Sequence, residues 1–318
     1  MIQFDEKHPE FKGFTAYYLN ELFPALQVKE LDRLAAYKKL RKWGPLAVMG
    51  VVVTGILLFL RFRHFMIPII SLIAAGFFYW GLREHFLKEV RSQTKNHLVS
   101  GICKFIGWQF SEKLEAPPDL TPLVENGLLP KRYDRLKFED KMWGNAHGAD
   151  FEAFECHMER EDKDSDGDSN WVTVFQGSIM ALDFHRKFLG RTVVLRDKGF
   201  FNRKKKAGMS RVGLVDPKFE KIFEAYGTDQ VEARYLLTPT FMQRLVDLEN
   251  SVDGKNIRFA FLDDLLLIAV ETPNRFEAGS MRIPITDPKR TQDILDEVGA
   301  VYNVVDGLVK PQSRSSST

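Results

Sequence analysis

The chain has 318 residues, with 45 Lys and Arg against 43 Asp and Glu and a formal charge of +2. That balance argues against nucleic-acid binding over the whole surface, so an electrostatic partner must be met by a local patch. Hydrophobic residues make up 44%, enough for most of the chain to bury a core; the two cysteines, Cys103 and Cys156, lie outside any CxxC pair, which argues against a disulfide framework or a structural zinc site and fits a reducing compartment.

Residues 1–43 read as an amphipathic helical region. Phe11, Phe14, Tyr18 and Leu22 repeat at three- or four-residue steps, Pro24 marks a break, and "ALQVKELDRLAAYKKLRK" (25–42) carries Leu26, Leu31, Leu34, Ala35 and Leu40. Two uncharged runs follow, 17 residues at 44–60 and 18 at 65–82. A bilayer core about 30 Å thick needs about 20 apolar residues, with a lower limit near 17, so 44–82 reads as a transmembrane hairpin. Trp43 and Trp80 suit the interface, and Arg61 and Arg83 can snorkel from the ends. The first run lies behind a long polar segment and is no signal peptide. The competing reading, a helical pair buried in a soluble core, is hard to satisfy with only "RFRH" between the runs. Lys38, Lys39, Arg41 and Lys42 precede the hairpin and Arg83, Lys88, Arg91 and Lys95 follow it, against Arg61, Arg63 and His64 in the connector. That asymmetry puts both termini in the cytoplasm.

A stalk helix is expected over 83–113, with Phe86, Val90, His97, Cys103 and Ile106 along it. It should pack antiparallel to the helix before the hairpin, their apolar stripes forming either each other's core or a groove for a partner. Four prolines in "EAPPDLTPLVENGLLPKRYDR" make 114–135 a linker, with Pro122 in the first turn of one short helix.

From about 136 to 308 the pattern is that of a cytosolic domain. "ADFEAFECHMERE" and "WVTVFQGSIMALDF" alternate as strands, the second buried on both faces for part of its length, and "RTVVLRD" (191–197) is a third. "DPKFEKIFEAYG" (216–227) and "TPTFMQRLVDLENSV" (238–252) read as helices opened by Asp-Pro and Thr-Pro. "NIRFAFLDDLLLIAVET" (256–272) reads as two strands about Asp263-Asp264, and 287–308 as a closing helix. Residues 309–318 form a polar tail expected to be disordered.

The acidic run "EDKDSDGDSN" (161–170) sets Asp162, Asp164, Asp166 and Gly167 at the first, third, fifth and sixth positions of an EF-hand loop. Position 8 is Ser169 and position 12 is Thr173, so the apolar anchor and the bidentate Glu are missing; Asp-Gly between alternating runs signals a hairpin loop. Seven scattered histidines give no HxxxH or HExxH pattern, and no nucleophile elbow, Walker or GxGxxG run occurs. "KGFFNRKKKAGMSR" (198–211) stands out. Lys198, Arg203, Lys204, Lys205, Lys206 and Arg211 bring six positive charges beside Phe200 and Phe201, a composition suited to an anionic lipid surface, to nucleic acid or an acidic protein partner, or to a solvated loop whose Phe pair packs into the domain. In "DQVEARYLLTP", Glu232 and Arg234 are expected to pair internally; the sharper reading makes Arg234 the group that holds an anion in a pocket.

"GLLPKRYDRLKFEDKMWGNAHGADFEAFECHMERE", "VFQGSIMALDFHRKFLGRTVVLRD" and "YGTDQVEARYLLTPTFMQRL" resemble a bacterial family catalogued as domain of unknown function 3137. The resemblance covers most of 127–305. It rests on Glu139-Asp140 and Gly144, on Phe175-Gln176-Gly177, and on Tyr226 through Met242. It implies a helical N-terminal region, two spans and one further domain, and brings no established activity. The combined expectation is an α+β protein of the bacterial inner membrane: an N-terminal helical region, a two-helix transmembrane hairpin, then a cytosolic domain of mainly antiparallel strands with packed helices. That domain is read as a binding or scaffold module near the membrane surface, without a cofactor or specific nucleic acid. The alternative is a membrane-associated enzyme acting on a lipid or small anion.

Overall fold

A computed structural model describes residues 2–163, 169–183, 187–197, 208–251 and 255–309. The chain divides into two compact units, one of residues 1–101 and 277–294, the other of 102–276 and 295–318.

The first unit is helical. After a one-turn helix at Pro9–Phe11, α1 (Phe14–Tyr17) passes through a wide π turn at Tyr18–Leu22 into α2 (Phe23–Phe62). The break expected at Pro24 does not occur. The Phe23 N–H bonds the Tyr18 carbonyl five residues back, and Pro24, which lacks an N–H, sits in the first turn of α2. Phe4, Phe14 and Tyr18 close an aromatic knot over this turn, with ring centroids 4.7 to 6.4 Å apart. α2 ends at Arg63, whose φ of 56° turns the chain into α3 (Met66–Phe105). Both helices are long and apolar enough to cross a membrane, with mean hydropathy 2.1 and 1.5 over their most apolar windows. Only 11% and 6% of those windows are buried within the protein, so their apolar surface faces outward.

The polar halves of α2 and α3 do pack together. Ala36 of α2 and Leu87 of α3 share a cluster with Ala278 and Met281, flanked by Tyr37, Phe86 and Val90. The last two members come from a strap, residues 277–287, that lies between the strands and the closing helix of the sequence reading and has no element there. Its irregular backbone is held by charge. Arg33 grips Glu30 through two hydrogen bonds of 2.8 and 2.6 Å and donates to the Met281 carbonyl at 2.8 Å. Glu30 in turn accepts the Ile285 N–H at 2.8 Å.

α3 stops at Phe105, short of the expected 113. Gly107, at φ 79°, takes the left-handed position that glycine adopts freely, and the Trp108 and Gly107 N–H groups fold back to the Cys103 and Lys104 carbonyls. β1 (Gln109–Ser111) follows, then α4 (Thr121–Glu125) with Pro122 in its first turn.

The second unit is built on one sheet. Its strands are β1, β2 (Arg135–Ala146), β3 (Ala149–Lys163), β4 (Ser169–Asp183), β5 (Thr192–Arg196), β6 (Ser210–Val212), β7 (Phe223–Gly227), β8 (Lys255–Leu262) and β9 (Leu265–Glu271). The order is β1-β2-β3-β4-β9-β8-β5-β7-β6, and every pair is antiparallel. The α+β reading therefore holds. One face carries Phe154, Cys156, Met158, Phe175 and Ile179 under Leu120, Leu123, Leu128 and Leu129. α5 (Pro217–Ile222), α6 (Gln230–Leu236) and α7 (Pro239–Ser251) lie by β6, β7 and β8, and α8 (Pro288–Val309) ends the described chain.

The segment 216–227 is not one helix. α5 ends at Ile222, and Phe223, at φ −126° and ψ 152°, opens β7 instead. Pairing of Phe223 with Arg196 and burial of Phe223 and Ala225 outweigh the local helical spacing. Two glycines of the quoted motifs are sites of close approach. A Cβ on Gly177 would lie 1.9 Å from the Val270 carbonyl oxygen across β4 and β9, and one on Gly144 would lie 2.7 Å from Cδ1 of Trp108.

Candidate functional site

Most of the basic patch, Lys198 through Lys206 with Phe200 and Phe201, lies outside the described residues, as do Asp164 to Asp168 of the acidic loop and all of the tail after Val309. The flanks of both loops are described. β3 and β4 pair up to Lys163 and Ser169, and Asp162 turns to Arg160, which binds both its oxygens at 2.8 and 3.0 Å and holds its carboxyl below the usual range. Arg211 stands in β6 with a guanidinium nitrogen 3.9 Å from Glu224, whose other oxygen accepts the Tyr226 hydroxyl at 2.9 Å. Burial, with the Glu224 carboxylate beside it, pushes Tyr226 up to about 12. Burial also pushes both thiols, Cys103 and Cys156, up to about 12, so neither is a nucleophile near neutral pH.

Glu232 and Arg234 do not pair. Two positions apart on α6 they face different ways. Glu232 is buried at 6% exposure with neither carboxylate oxygen bonded among the described residues, while Arg234 is exposed.

Among the described residues, two cavities of more than 500 Å³ indent the sheet unit, besides a small one of about 110 Å³ lined by Lys137, Glu155 and His157. The first, about 610 Å³, continues the apolar face of the sheet where α4 no longer covers it. Trp143, Ala181 and Leu265 give it apolar surface; of its charged lining, Lys141 binds Glu152 at 2.8 Å, and Asp150 accepts from Asn145 at 2.7 Å.

The second, about 520 Å³, is a cleft among the Gly213–Val215 loop and the three short helices. Leu214, Val215, Pro217, Leu237, Pro239 and Met242 make it mainly apolar. Asp216 caps α5, accepting the Lys218 and Phe219 N–H groups at 2.8 and 3.0 Å. Thr238 caps α7 by accepting the Phe241 N–H at 3.2 Å. Gln243 donates to Asp247 at 2.7 Å. Arg234 and Lys218 are different: among the described residues, neither side chain has an ion pair or hydrogen bond. The cleft thus presents two cations against the single carboxylate of Asp216, beside apolar surface. Sequence reasoning found Arg234 but missed Lys218 and the apolar wall, which come together only through folding.

This architecture defines a class: an antiparallel-sheet α+β domain in a chain with two long apolar helices. Residues 173–310 match the sequence model of the family described as Protein of unknown function (DUF3137), the family that the quoted motifs resemble. The match begins within β4 and runs to the end of α8, so the "GLLPKRYDR" block lies ahead of it. No curated protein matches the chain. Among solved structures, the mycobacterial trehalose monomycolate transport factor A, TtfA, superposes with a TM-score of 0.32 at 12% identity, over 69% of this chain and 98% of that one. That score is too low to equate the two folds.

Proposed function

We propose that this chain is an integral protein of the bacterial inner membrane, with two spans and both termini in the cytoplasm, and that its sheet domain is a binding module working near the membrane surface. The observation that carries the reading is the outward apolar surface of α2 and α3. Leu57, Leu72 and Phe77 are 61%, 70% and 70% exposed, on helices with almost no buried face over this stretch. A continuous apolar surface of that size is unfavourable in water and is satisfied by lipid. The basic residues 38–42 and 83–95 support the orientation. The unpaired cations of the cleft support binding as the domain's task.

The test is topological. Alkaline carbonate should leave the protein in the membrane pellet, and a reporter fused after Thr318 should be active only in the cytoplasm. Release into the supernatant, or a periplasmic signal from the C-terminal fusion, would overturn the reading.

A further inference from the structure

We infer that the cleft among α5, α6 and α7 binds a single-chain anionic amphiphile, its head held by Arg234 and Lys218 and its alkyl chain laid on Val215, Pro217 and Pro239. The inference deepens the binding-module reading by naming the ligand class, and it rests on that reading only for the domain's role.

Three observations converge. The cleft's volume, about 520 Å³, falls in the range of small-molecule sites. Its walls are mostly aliphatic, and Val215 stands 95% exposed, an apolar group that none of the described residues covers. Its free charge is positive. The lining carboxylate, Asp216, is spent on the N–H groups of its own helix, whereas both cations have no partner among the described residues. Arg234 offers a planar fork of donors suited to a carboxylate or phosphate, and Lys218 adds a point charge. A purely apolar ligand would leave these cations unanswered, and a small anion would leave Val215, Pro217 and Pro239 exposed to water. A ligand with one anionic end and one alkyl chain satisfies both. The sheet-face cavity is the less selective candidate, since Lys141 and Glu152 neutralise each other there and Lys113 is matched by the lining carboxylates Glu115, Asp150 and Asp183.

The experiment uses the full chain in nanodiscs of phosphatidylcholine. The probe is octanoate carrying a diazirine on its alkyl chain, with cross-linked peptides mapped by mass spectrometry. Labelling is expected within 213–218 or 234–243, displaced by octanoate and octyl phosphate but not by octyltrimethylammonium. Arg234→Gln with Lys218→Gln should lower labelling about tenfold, the loss of one or two charge-assisted contacts. Val215→Asp, at a fully exposed position that folding does not use, should lower it as well. Labelling elsewhere, equal displacement by the cationic amphiphile, or an unchanged double variant would overturn the assignment. Displacement by inorganic phosphate alone would make this a small-anion site and equally overturn it. Displacement by phosphatidylglycerol placed in the bilayer would replace the free amphiphile with a membrane lipid, against the inference. Carbonate extraction of the same preparation reports on membrane anchoring separately, so failure of one does not imply failure of the other.

Discussion

In the helical unit the buried charged side chains described are Arg33, Lys95 and Arg290, all cations; in the sheet unit they are Asp140, Glu155, Glu224 and Glu232, with Arg275 the one cation. The difference follows from which backbone groups each unit leaves over. The strap 277–287 presents carbonyls, and guanidinium groups answer them: Arg33 at Met281, Arg290 at Ser280 (2.9 Å) and Ile283 (3.1 Å). The sheet unit instead leaves N–H groups where the chain departs from β9, and carboxylates answer those. Glu155 accepts the Arg275 N–H at 3.0 Å, and Glu297 accepts that of Phe276, a residue at φ 56°. Buried irregular backbone must find partners of opposite polarity: at the strap Arg33 and Arg290 take carbonyls while Glu30 takes the Ile285 N–H, and beyond β9 Glu155 takes that of Arg275.

The comparison breaks most visibly at Arg33. Its Ala variant removes the guanidinium, leaves Glu30 without its counter-charge and frees the Met281 carbonyl. Loss of one partner from a largely buried pair costs about 3 kcal/mol, roughly a hundredfold in the opening equilibrium of the strap. Trypsin cleavage at Arg282, exposed but held, should accelerate accordingly in the full chain. An unchanged cleavage rate would mean that the apolar contacts of Ala278 and Met281 hold the strap unaided.

In the sheet unit, Glu155→Ala should cost about 2 kcal/mol, because a buried N–H loses its acceptor. Glu155→Gln keeps a carbonyl oxygen and should cost less. Urea unfolding followed by tryptophan fluorescence distinguishes them, and equal losses would remove the hydrogen-bond account. Glu232 makes the sharper point, since its buried oxygens accept nothing among the described residues. Glu232→Met should therefore stabilise the fold by about 1 kcal/mol, the cost of an unpaired buried polar group being of that order. Destabilisation would reveal a partner for this carboxylate.

How much of this could be read from the sequence depended on whether the signal was local. The uncharged runs 44–60 and 65–82, the alternation through Phe154, Cys156 and Met158, and the Asp263-Asp264 turn are all local signals: the runs lie in two helices long and apolar enough to cross a membrane, and the others became strand and turn as expected. β7 was hidden because Phe219, Ile222 and Phe223 are spaced like a helix face, and only the pairing of Phe223 with Arg196 decides otherwise. The strap was hidden for a related reason. Met281 and Ile285 have no period around them, and their partners, Arg33 and Glu30, lie about 250 residues earlier. The cleft was half visible. Arg234 stood out by its motif, but Lys218 reads as an ordinary surface lysine until α5 and α6 bring the two to one cavity.

The smallest effects are those of pH, and they divide the helical unit into two windows. Burial, reinforced by the Lys29 charge and opposed by the Leu22 backbone, holds the His97 imidazole below its ordinary value of 6.5. The folded state therefore prefers the neutral ring, while the unfolded chain takes up a proton near 6.5. This contribution to stability is complete above that value and is lost as pH falls from 6.5 toward the lowered folded value, by at most about 1.4 kcal/mol per pH unit. Glu30 behaves at lower pH. The Arg33 hydrogen bonds hold its carboxyl below the ordinary 4.5, so its contribution persists above 4.5 and disappears as pH falls through the lowered folded value. Acidification should thus loosen the unit in two steps, each assigned to one residue. His97→Gln should remove the upper step and leave the lower one, and Glu30→Gln should do the reverse while lowering stability at neutral pH. Amide exchange of α2 followed from pH 7.5 to 4 reads the first, and Arg282 cleavage by an acid-tolerant protease with basic-residue specificity reads the second. A single step abolished by either substitution would mean that the two sites open together, and that the strap and the α2–α3 contact form one cooperative element.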